Sequence, residues 1–525
     1  MQQRLALLKQ PGRQKLLAGI RHGVEKESLR VTPDGQLALT PHPQGLGSAL
    51  AHPSITTDFS EALLEFITEP SDSHQQTINY LEQLHRYTYR QIGDELLWAN
   101  SMPCVLGADE DIPEARYGSS NVGTMKQVYR IGLGHRYGRL MQTIAGIHYN
   151  FSLPDSLWEL LQQEDQHNGS LTDYKTEGYL GLIRNFRRYF WLLMYLFGAS
   201  PAVCRSFAKN RNHQLSPIGT DHHSLHSPQA TSLRMGDLGY QSSAQDELVV
   251  CYNTLDQYIT TLRSALSKPY PDYEQAGLKN PDGSYRQLNT HLLQIENEFY
   301  SPIRPKRTTH SGEPPVRALW ERGIEYIEVR CLDLNPLLPV GIDARQMRFV
   351  DTFLVMCLLN DSPTTYTVEY YGILENQRRM VYRGRDPELT LLRNEVEVPL
   401  QQWGQELFAA MAPVAKLLDN SHGGTDYSEA LTHFARQLNQ PELTLSAGIL
   451  ADIEGNQSSY FRRALAHSRQ HREYFMDSPL DPAVEEQLQQ QAQDSLAKQR
   501  DIEAADNITF EEFLANYYRG CDFSL

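Results

Sequence analysis

Alternation of apolar and polar residues marks the stretch from Gly323 to Pro336 as a β-strand. Positions 327, 329 and 331 are apolar, whereas Glu328 and Arg330 lie between them. Because successive side chains of a strand point to opposite faces, this carboxylate and this guanidinium share a face, about 6–7 Å apart. The pattern is equally typical of a strand that lines a charged site and of a strand with a solvated outer face.

Four other stretches combine an apolar strand pattern with carboxylates or other polar side chains. They are Gly23–Val31 with Glu25 and Glu27, Ala62–Thr68 with Glu65, Ile147–Ser152 with His148, and Leu293–Tyr300 with Glu296, Glu298 and Tyr300. A carboxylate inside an apolar strand is costly to bury unless it is paired or bound to a metal. We therefore predict that the five strands share one polar interior, in which oxygen ligands bind divalent cations.

Helical spacing of apolar residues predicts much of the remaining chain. Helices are expected at about 73–94, 125–137, 175–200, 344–360 and 404–418, with a last helix from Asp481. Because we find neither an internal repeat nor a clear linker, the chain is predicted to be one elaborated catalytic domain, residues 1–525, with a helical C-terminal portion from about 400.

Three polar segments allow two interpretations each. Residues 205–230 contain four histidines, which could bind metal, although the composition favours an exposed loop that could close over a site. His467 and His471 are one helical turn apart, but without the glutamate of a zinc-protease motif we expect a surface pair. The basic loop at 302–315, with Arg304, Lys306 and Arg307, is either a solvated turn or a phosphate clamp.

Composition and missing motifs exclude several classes of protein. The chain has 48 basic and 64 acidic residues, and the net charge of −16 disfavours a nucleic-acid partner. No P-loop, HExxH or GxSxG motif is present, and the glycines near 132–138 do not fit the dinucleotide fingerprint. Six scattered cysteines, no signal peptide and no membrane-spanning stretch predict a cytoplasmic protein with no membrane partner.

Seven sequence blocks between about residues 20 and 360 carry a family resemblance. They read GVEKESLRV, ITTDFSEALLEFIT, MQTIAGIHYNFSLP, YLFGASPA, TSLRMGDLGY, LQIENEFYSPIRPKR and GIEYIEVRCLDLNP. Together they resemble the proteobacterial type of glutamate–cysteine ligase, the first enzyme of glutathione synthesis. The resemblance implies an α+β fold like the catalytic domain of glutamine synthetase, with a curved antiparallel sheet forming a funnel and helices outside.

The resemblance also implies roles for particular residues. The metal ligands, for Mg²⁺ or alternatively Mn²⁺, would be Glu25, Glu27, Glu65, His148 and Glu328. Arg330, and as a weaker candidate Arg130, would stabilise charge on the transferring γ-phosphoryl group. The cysteine substrate would lie near Phe59, Tyr129, Gln142, Arg234, Tyr240 and Tyr300. Among these, Arg234 suits a bidentate bond to the substrate α-carboxylate.

The implied reaction joins the γ-carboxylate of L-glutamate to the amine of L-cysteine through γ-glutamyl phosphate, with ATP as a substrate. Feedback inhibition by glutathione is implied in the same way. Three alternatives stay open at this point. They are a ligase that joins glutamate to another amine, a metal-dependent hydrolase that uses the same carboxylates, and a binding protein without catalytic activity.

Overall fold

The computed structural model describes residues 1–523 except 104, 210, 221–222, 240–242 and 247, with the backbone alone at 243. The strands in this part of the chain are β1 (Arg21–Val31), β2 (Ile55–Thr57), β3 (Leu63–Ile67), β4 (Leu96–Leu97), β5 (Ile147–Ser152), β6 (Ala202–Cys204), β7 (Ser216–Ile218), β8 (Ser224–His226), β9 (Ile303–Lys306), β10 (Tyr326–Leu332), β11 (Thr390–Arg393) and β12 (Val396–Pro399).

Helices account for most of the remaining structure. They are α1 (Gln2–Leu8), α2 (His74–Tyr89), α3 (Asn121–Tyr137), α4 (Asp155–Glu164), α5 (Leu171–Tyr189), α6 (Trp191–Phe197), α7 (Arg205–Ala208), α8 (Leu255–Ser267), α9 (Pro271–Ala276), α10 (Pro315–Arg322), α11 (Ala344–Leu359), α12 (Thr367–Arg383), α13 (Leu400–His422), α14 (Asp426–Asn439), α15 (Leu445–Gly455), α16 (Tyr460–Asp477), α17 (Pro482–Ala505) and α18 (Phe510–Cys521). None of the described helices is both long and apolar enough to cross a membrane.

The main sheet has the strand order β2-β3-β1-β5-β10-β9, with β4 added to the far end of β1. Every neighbouring pair in it is antiparallel. Two small antiparallel sheets, β11-β12 and β6-β8-β7, lie apart from it. The predicted mixture of helices with antiparallel sheet is therefore confirmed, and four of the five predicted polar strands, β1, β3, β5 and β10, are neighbours in one sheet.

The fifth predicted strand, Leu293–Tyr300, is wrong, because its centre is a single 3₁₀ turn at Glu296–Glu298. The polar side chains bond to backbone groups that a strand would pair with a neighbour. A carboxylate oxygen of Glu298 accepts the N–H of Gln294 (2.5 Å), and the side-chain oxygen of Gln294 accepts the N–H of Leu288 (3.0 Å). Alternation of polar residues here reflects these local bonds and not a sheet face.

One face of the main sheet packs on helices α2 and α11 through buried polar contacts. Asp351 of α11 accepts a hydrogen bond from the Tyr149 hydroxyl (2.7 Å) and lies 2.7 Å from His74 Nε2 on α2. The ring of His22 stacks on that of His74 with the ring centres 4.2 Å apart. Since an ionised buried carboxylate needs such partners, this cluster fixes the positions of β1 and β5 relative to both helices.

Two predictions about polar segments are wrong in part. Within the region predicted to be an exposed loop, β7 and β8 pair with each other, and β8 pairs with β6. The predicted surface pair of histidines fails at His471, which is only 7% exposed because α16 packs on the core. The Nε2 atom of His471 lies 2.9 Å from the Pro336 carbonyl oxygen, and burial lowers its pKa to about 4.

We expect buried His471 to make stability fall with pH below 6.5. The unfolded chain binds a proton at a pKa near 6.5 while the folded chain does not until about 4, so protonation favours unfolding across this range. Between pH 6.5 and 5, a His471→Gln variant should lose about 1.5 kcal/mol less stability than the parent chain. Urea unfolding followed by circular dichroism measures both values. The exposed His310→Gln change is the control, and identical pH dependence in the His471 variant and the parent would contradict the prediction.

Candidate active site

Strand register brings acidic residues of neighbouring strands side by side. Glu27 of β1 pairs with Glu65 of β3, and Glu25 pairs with His148 of β5. Further across the sheet, Glu328 of β10 pairs with Asn150 on one side and Arg304 on the other. Because residues directly opposite each other share a face, these side chains form one polar band on the face turned away from α2 and α11.

His148 lies at the centre of the acidic part of this band. Its Nδ1 atom is 3.0 Å from Glu25 Oε2 and 4.0 Å from Glu65 Oε1, and its Nε2 atom is 3.8 Å from Glu27 Oε1. Ligand atoms of Glu25, Glu65 and His148 all lie within 4.8 Å of one another. The three carboxylates thus share a single imidazole.

Acid–base properties of the cluster reflect this excess of negative charge. Burial, followed by the neighbouring Asp58 carboxylate, raises the pKa of Glu27 to about 7. Burial and the charge of Glu25 raise the pKa of Glu65 well above its ordinary value. Burial is the largest influence on Glu25 and acts in the same direction, but the hydrogen bond with His148 and the charges of His148 and Lys306 together outweigh it and leave the pKa of Glu25 lowered. A cation bound among these oxygens would remove the need for protons.

Glu328 has a different environment, since two cations flank its carboxylate. Lys306 Nζ lies 3.3 Å from one oxygen, and Arg330 Nη1 donates to the other at 3.0 Å. These charges outweigh burial and hold the pKa of Glu328 well below its ordinary value. Arg330 therefore lies next to the acidic cluster, and the Glu328 carboxylate holds its guanidinium in place.

A cavity of about 520 Å³ opens beside the polar band. Four of the residues proposed from sequence line it: His148, Arg234, Tyr300 and Arg330. The Arg234 guanidinium packs closely on the backbone of Gly146, where a Cβ atom would lie 2.0 Å from Nη2. Its Nη2 atom donates to the Arg330 carbonyl (2.9 Å), so any side chain at position 146 would displace it.

The remaining predicted substrate residues either do not line this cavity or fall outside the described part of the chain. Gln142 donates to the Tyr300 hydroxyl at 3.1 Å and so orients a lining residue. Phe59 is 1% exposed within the core, and Tyr129 packs against that core. Tyr240 falls outside the described residues.

The guanidinium of Arg130, proposed as a weaker candidate for the phosphate-binding role, is engaged by contacts within the protein. Its Nε atom donates to the Asp58 carbonyl, its Nη1 atom donates to the Lys126 carbonyl (2.9 Å), and its guanidinium lies 4.6 Å from the ring centre of Tyr117. These contacts tie α3 to the loop after β2. The cavity wall of described residues does not include Arg130.

Sequence reasoning missed several residues that shape the site. Lys306, left open between a solvated turn and a phosphate clamp, pairs with Glu328. Asp58 acts on the pKa values of Glu27 and Glu65, and its presence inside the block ITTDFSEALLEFIT was the available signal. A second cavity, of about 330 Å³, lies along the basic loop and is lined by Arg304, Lys306, Arg307, Thr308 and Tyr326 among others.

Comparison with known proteins gives a consistent result. The family model described as glutamate-cysteine ligase matches residues 5–380. Proteins named glutamate–cysteine ligase are similar over nearly the whole chain. The one from Alcanivorax borkumensis is 53% identical over 522 residues, which cover 99% of both chains, and the one from Saccharophagus degradans is 52% identical over 506 residues, which cover 96% of this chain and 95% of the other.

A solved structure extends the similarity to three dimensions. The crystal structure of a glutamate–cysteine ligase from Francisella tularensis in complex with AMP superposes with a TM-score of 0.90 at 38% identity. The match covers 96% of this chain and 99% of that one. Sequence blocks, strand register and these similarities agree, and the chain belongs to the glutamate–cysteine ligase family.

Proposed function

We propose that this protein uses ATP to join the γ-carboxylate of L-glutamate to the amine of L-cysteine through γ-glutamyl phosphate, the first step of glutathione synthesis. The observation that carries the proposal is the cluster of Glu25, Glu27, Glu65 and His148 beside Arg330 and an open cavity. Membership of the glutamate–cysteine ligase family supports the same reaction.

The acidic cluster fits a divalent cation by the chemistry of its donors. Carboxylate oxygens are ligands for Mg²⁺ and Mn²⁺, and burial together with neighbouring carboxylates raises the pKa values of Glu27 and Glu65, which a bound cation would offset. We propose that Glu25, Glu27, Glu65, His148 and Glu328 hold such ions. When bound, the ions would screen the repulsion between the ATP phosphates and the glutamate carboxylate.

Arg330 is proposed to stabilise charge on the transferring phosphoryl group. The Glu328 carboxylate bonds to one end of its guanidinium, while the side chain remains partly exposed at the cavity wall. A planar guanidinium fixed in this way can donate to two phosphate oxygens without reorientation. Arg130 remains a weaker proposal for the same role, because the Asp58 carbonyl and the Tyr117 ring already engage its guanidinium.

The acceptor amino acid is proposed to occupy the cavity beside Tyr300 and Arg234, with Gln142 holding the Tyr300 hydroxyl in place. Phe59 and Tyr129 would support this wall from behind, and Tyr240 is proposed on the family resemblance alone. Attack of the cysteine amine on the acyl phosphate needs positioning and no protein nucleophile. This agrees with the burial of Cys204, Cys331, Cys357 and Cys521.

The nucleotide is proposed to bind along the basic loop. The cavity of about 330 Å³ places Lys306 and Arg307 near threonine hydroxyls and the Tyr326 ring. Since Lys306 also contacts Glu328, a triphosphate there would reach the acidic cluster. The AMP complex of the Francisella tularensis relative supports a nucleotide site in this fold.

We also propose four broader properties of the protein. They are a funnel-shaped sheet like that of the glutamine synthetase catalytic domain, a single catalytic domain over the whole chain, a cytoplasmic location, and feedback inhibition by glutathione. The antiparallel order of the main sheet, with the acidic band on one face, supports the funnel.

Binding of Mg²⁺ or Mn²⁺ should weaken as the pH falls. Because the pKa of Glu27 is about 7 in the ion-free protein, a proton must leave before the ion binds, and affinity should fall about fivefold from pH 7 to pH 6. Calorimetry in buffers of different ionisation enthalpy should detect the released protons. Glu65→Gln should weaken binding, whereas the exposed Glu321→Gln change should not. Constant affinity between pH 6 and 8 would contradict this view of the cluster.

ADP release should require glutamate and cysteine together. A coupled ADP assay in which each amino acid is omitted in turn tests the reaction directly, and Glu328→Gln should abolish the signal. Phosphate release without an amine would indicate a hydrolase, and faster turnover with another amine would refute the cysteine assignment. If Glu328→Gln leaves every measured property unchanged, the protein is better described as a binding protein without catalytic activity.

Arg330→Lys should lower kcat about 100-fold or more while leaving the melting temperature nearly unchanged. Lysine keeps the charge but cannot both bond to Glu328 and present a planar pair of donors. Steady-state kinetics with the coupled assay measures the effect. Arg317→Lys, on the exposed surface of α10, is the matched control. A near-normal rate in the Arg330 variant would remove this residue from the proposed site.

A further inference from the structure

The cavity of about 520 Å³ has four arginines in its wall, and three of them are paired with a carboxylate. These pairs are Arg234 with Asp333 (3.5 Å), Arg330 with Glu328 (3.0 Å) and Arg378 with Glu375 (2.8 Å). The fourth, Arg187 of α5, has no carboxylate within 4.0 Å among the residues that the structure describes.

Arg187 is held rigidly in spite of this. It is 8% exposed, and its guanidinium carbon lies 5.0 Å from the ring centre of Tyr252 and 4.8 Å from that of Tyr370. Aromatic faces attract a cation, but they do not accept the in-plane N–H bonds of a guanidinium. The Tyr370 hydroxyl accepts one hydrogen bond from Arg187, and the remaining N–H groups of the guanidinium are left for the cavity that it lines.

Other arginines of α5 show how this helix satisfies buried cations elsewhere. Arg188 makes two bonds to Glu369, and Arg184 donates to the carbonyls of Tyr252 and Asn253. Burial of a guanidinium without an anion is costly. The cost at Arg187 would be removed by an anionic ligand in the cavity.

We infer that Arg187 binds the free α-carboxylate of an amino-acid substrate and so selects amino acids over simple amines or acids. The inference rests on the proposed function. Glutamate and cysteine each carry an α-carboxylate that the reaction leaves intact, and the guanidinium fork matches its geometry. Arg234 already bonds to the Arg330 carbonyl and faces Asp333, so Arg187 adds a cation that no carboxylate of the described residues pairs with.

The test compares each substrate with an analogue that lacks the carboxylate in question. Arg187→Gln should raise KM for one of the two amino acids about 10- to 100-fold and change kcat less than about threefold. The same variant should lose the preference of the parent for that amino acid over its analogue, which is cysteamine for cysteine and 4-aminobutyrate for glutamate. The amino acid whose KM and preference change is the one whose α-carboxylate Arg187 binds. Arg187→Lys, which keeps the buried charge, should give an intermediate KM.

Arg378→Gln is the matched control, because this arginine lines the same cavity but is paired with Glu375 and is largely exposed. Unchanged KM values and unchanged preferences in both Arg187 variants would overturn the inference and would favour an internal ion pair with Asp237 or Asp246 of the same wall. Calorimetric binding of each amino acid to the parent and to the variants repeats the comparison without turnover. A parent chain without ligase activity would contradict the proposed reaction. An active parent whose KM values and preferences are unchanged in the Arg187 variants would contradict only this inference.

Discussion

The structure depends on one constraint, which is that several carboxylates lie close together on one face of a buried sheet. Glu25, Glu27 and Glu65 lie on adjacent strands around His148, and burial of three carboxylates so close together is unfavourable unless protons or cations neutralise them. The sheet itself cannot relieve the repulsion, because its register fixes which residues are opposite each other. A site with this charge is suited to bringing metal ions and anionic substrates together.

The opposite face of the sheet supplies the rigidity that such a site requires. Asp351 bonds to Tyr149 of β5 and approaches His74 of α2, while Lys26 of β1 lies 2.7 Å from His85 Nε2. β1 and β5, which carry Glu25, Glu27 and His148 toward the cavity, therefore also carry polar anchors into the helical layer. Alternation along β1 and β5 serves both faces at once, which explains why so few positions of these strands are simply apolar.

Strand alternation predicted the acidic band well, because period-two patterns report directly on which residues share a face. It failed at Glu296 and Glu298, since local side-chain bonds to backbone produce the same alternation as a strand. The grouping of Glu25 with His148 follows from register, which the family resemblance suggested and the residue pattern alone did not. Arg187 was not predicted from the sequence, because its significance is that no carboxylate of the described residues lies within 4.0 Å of it, which is a property of tertiary packing.

The last C-terminal helix contacts the region that lines the cavity, although the family model ends at residue 380. On α18 the Tyr517 hydroxyl donates to Glu296 (3.0 Å), and the Tyr518 hydroxyl donates to the Gln294 carbonyl (3.0 Å). These bonds hold the turn that immediately precedes Tyr300 in the cavity wall. Because the last helix helps to position this cavity wall, the proposal of one catalytic domain over the whole chain is favoured over two independent ones.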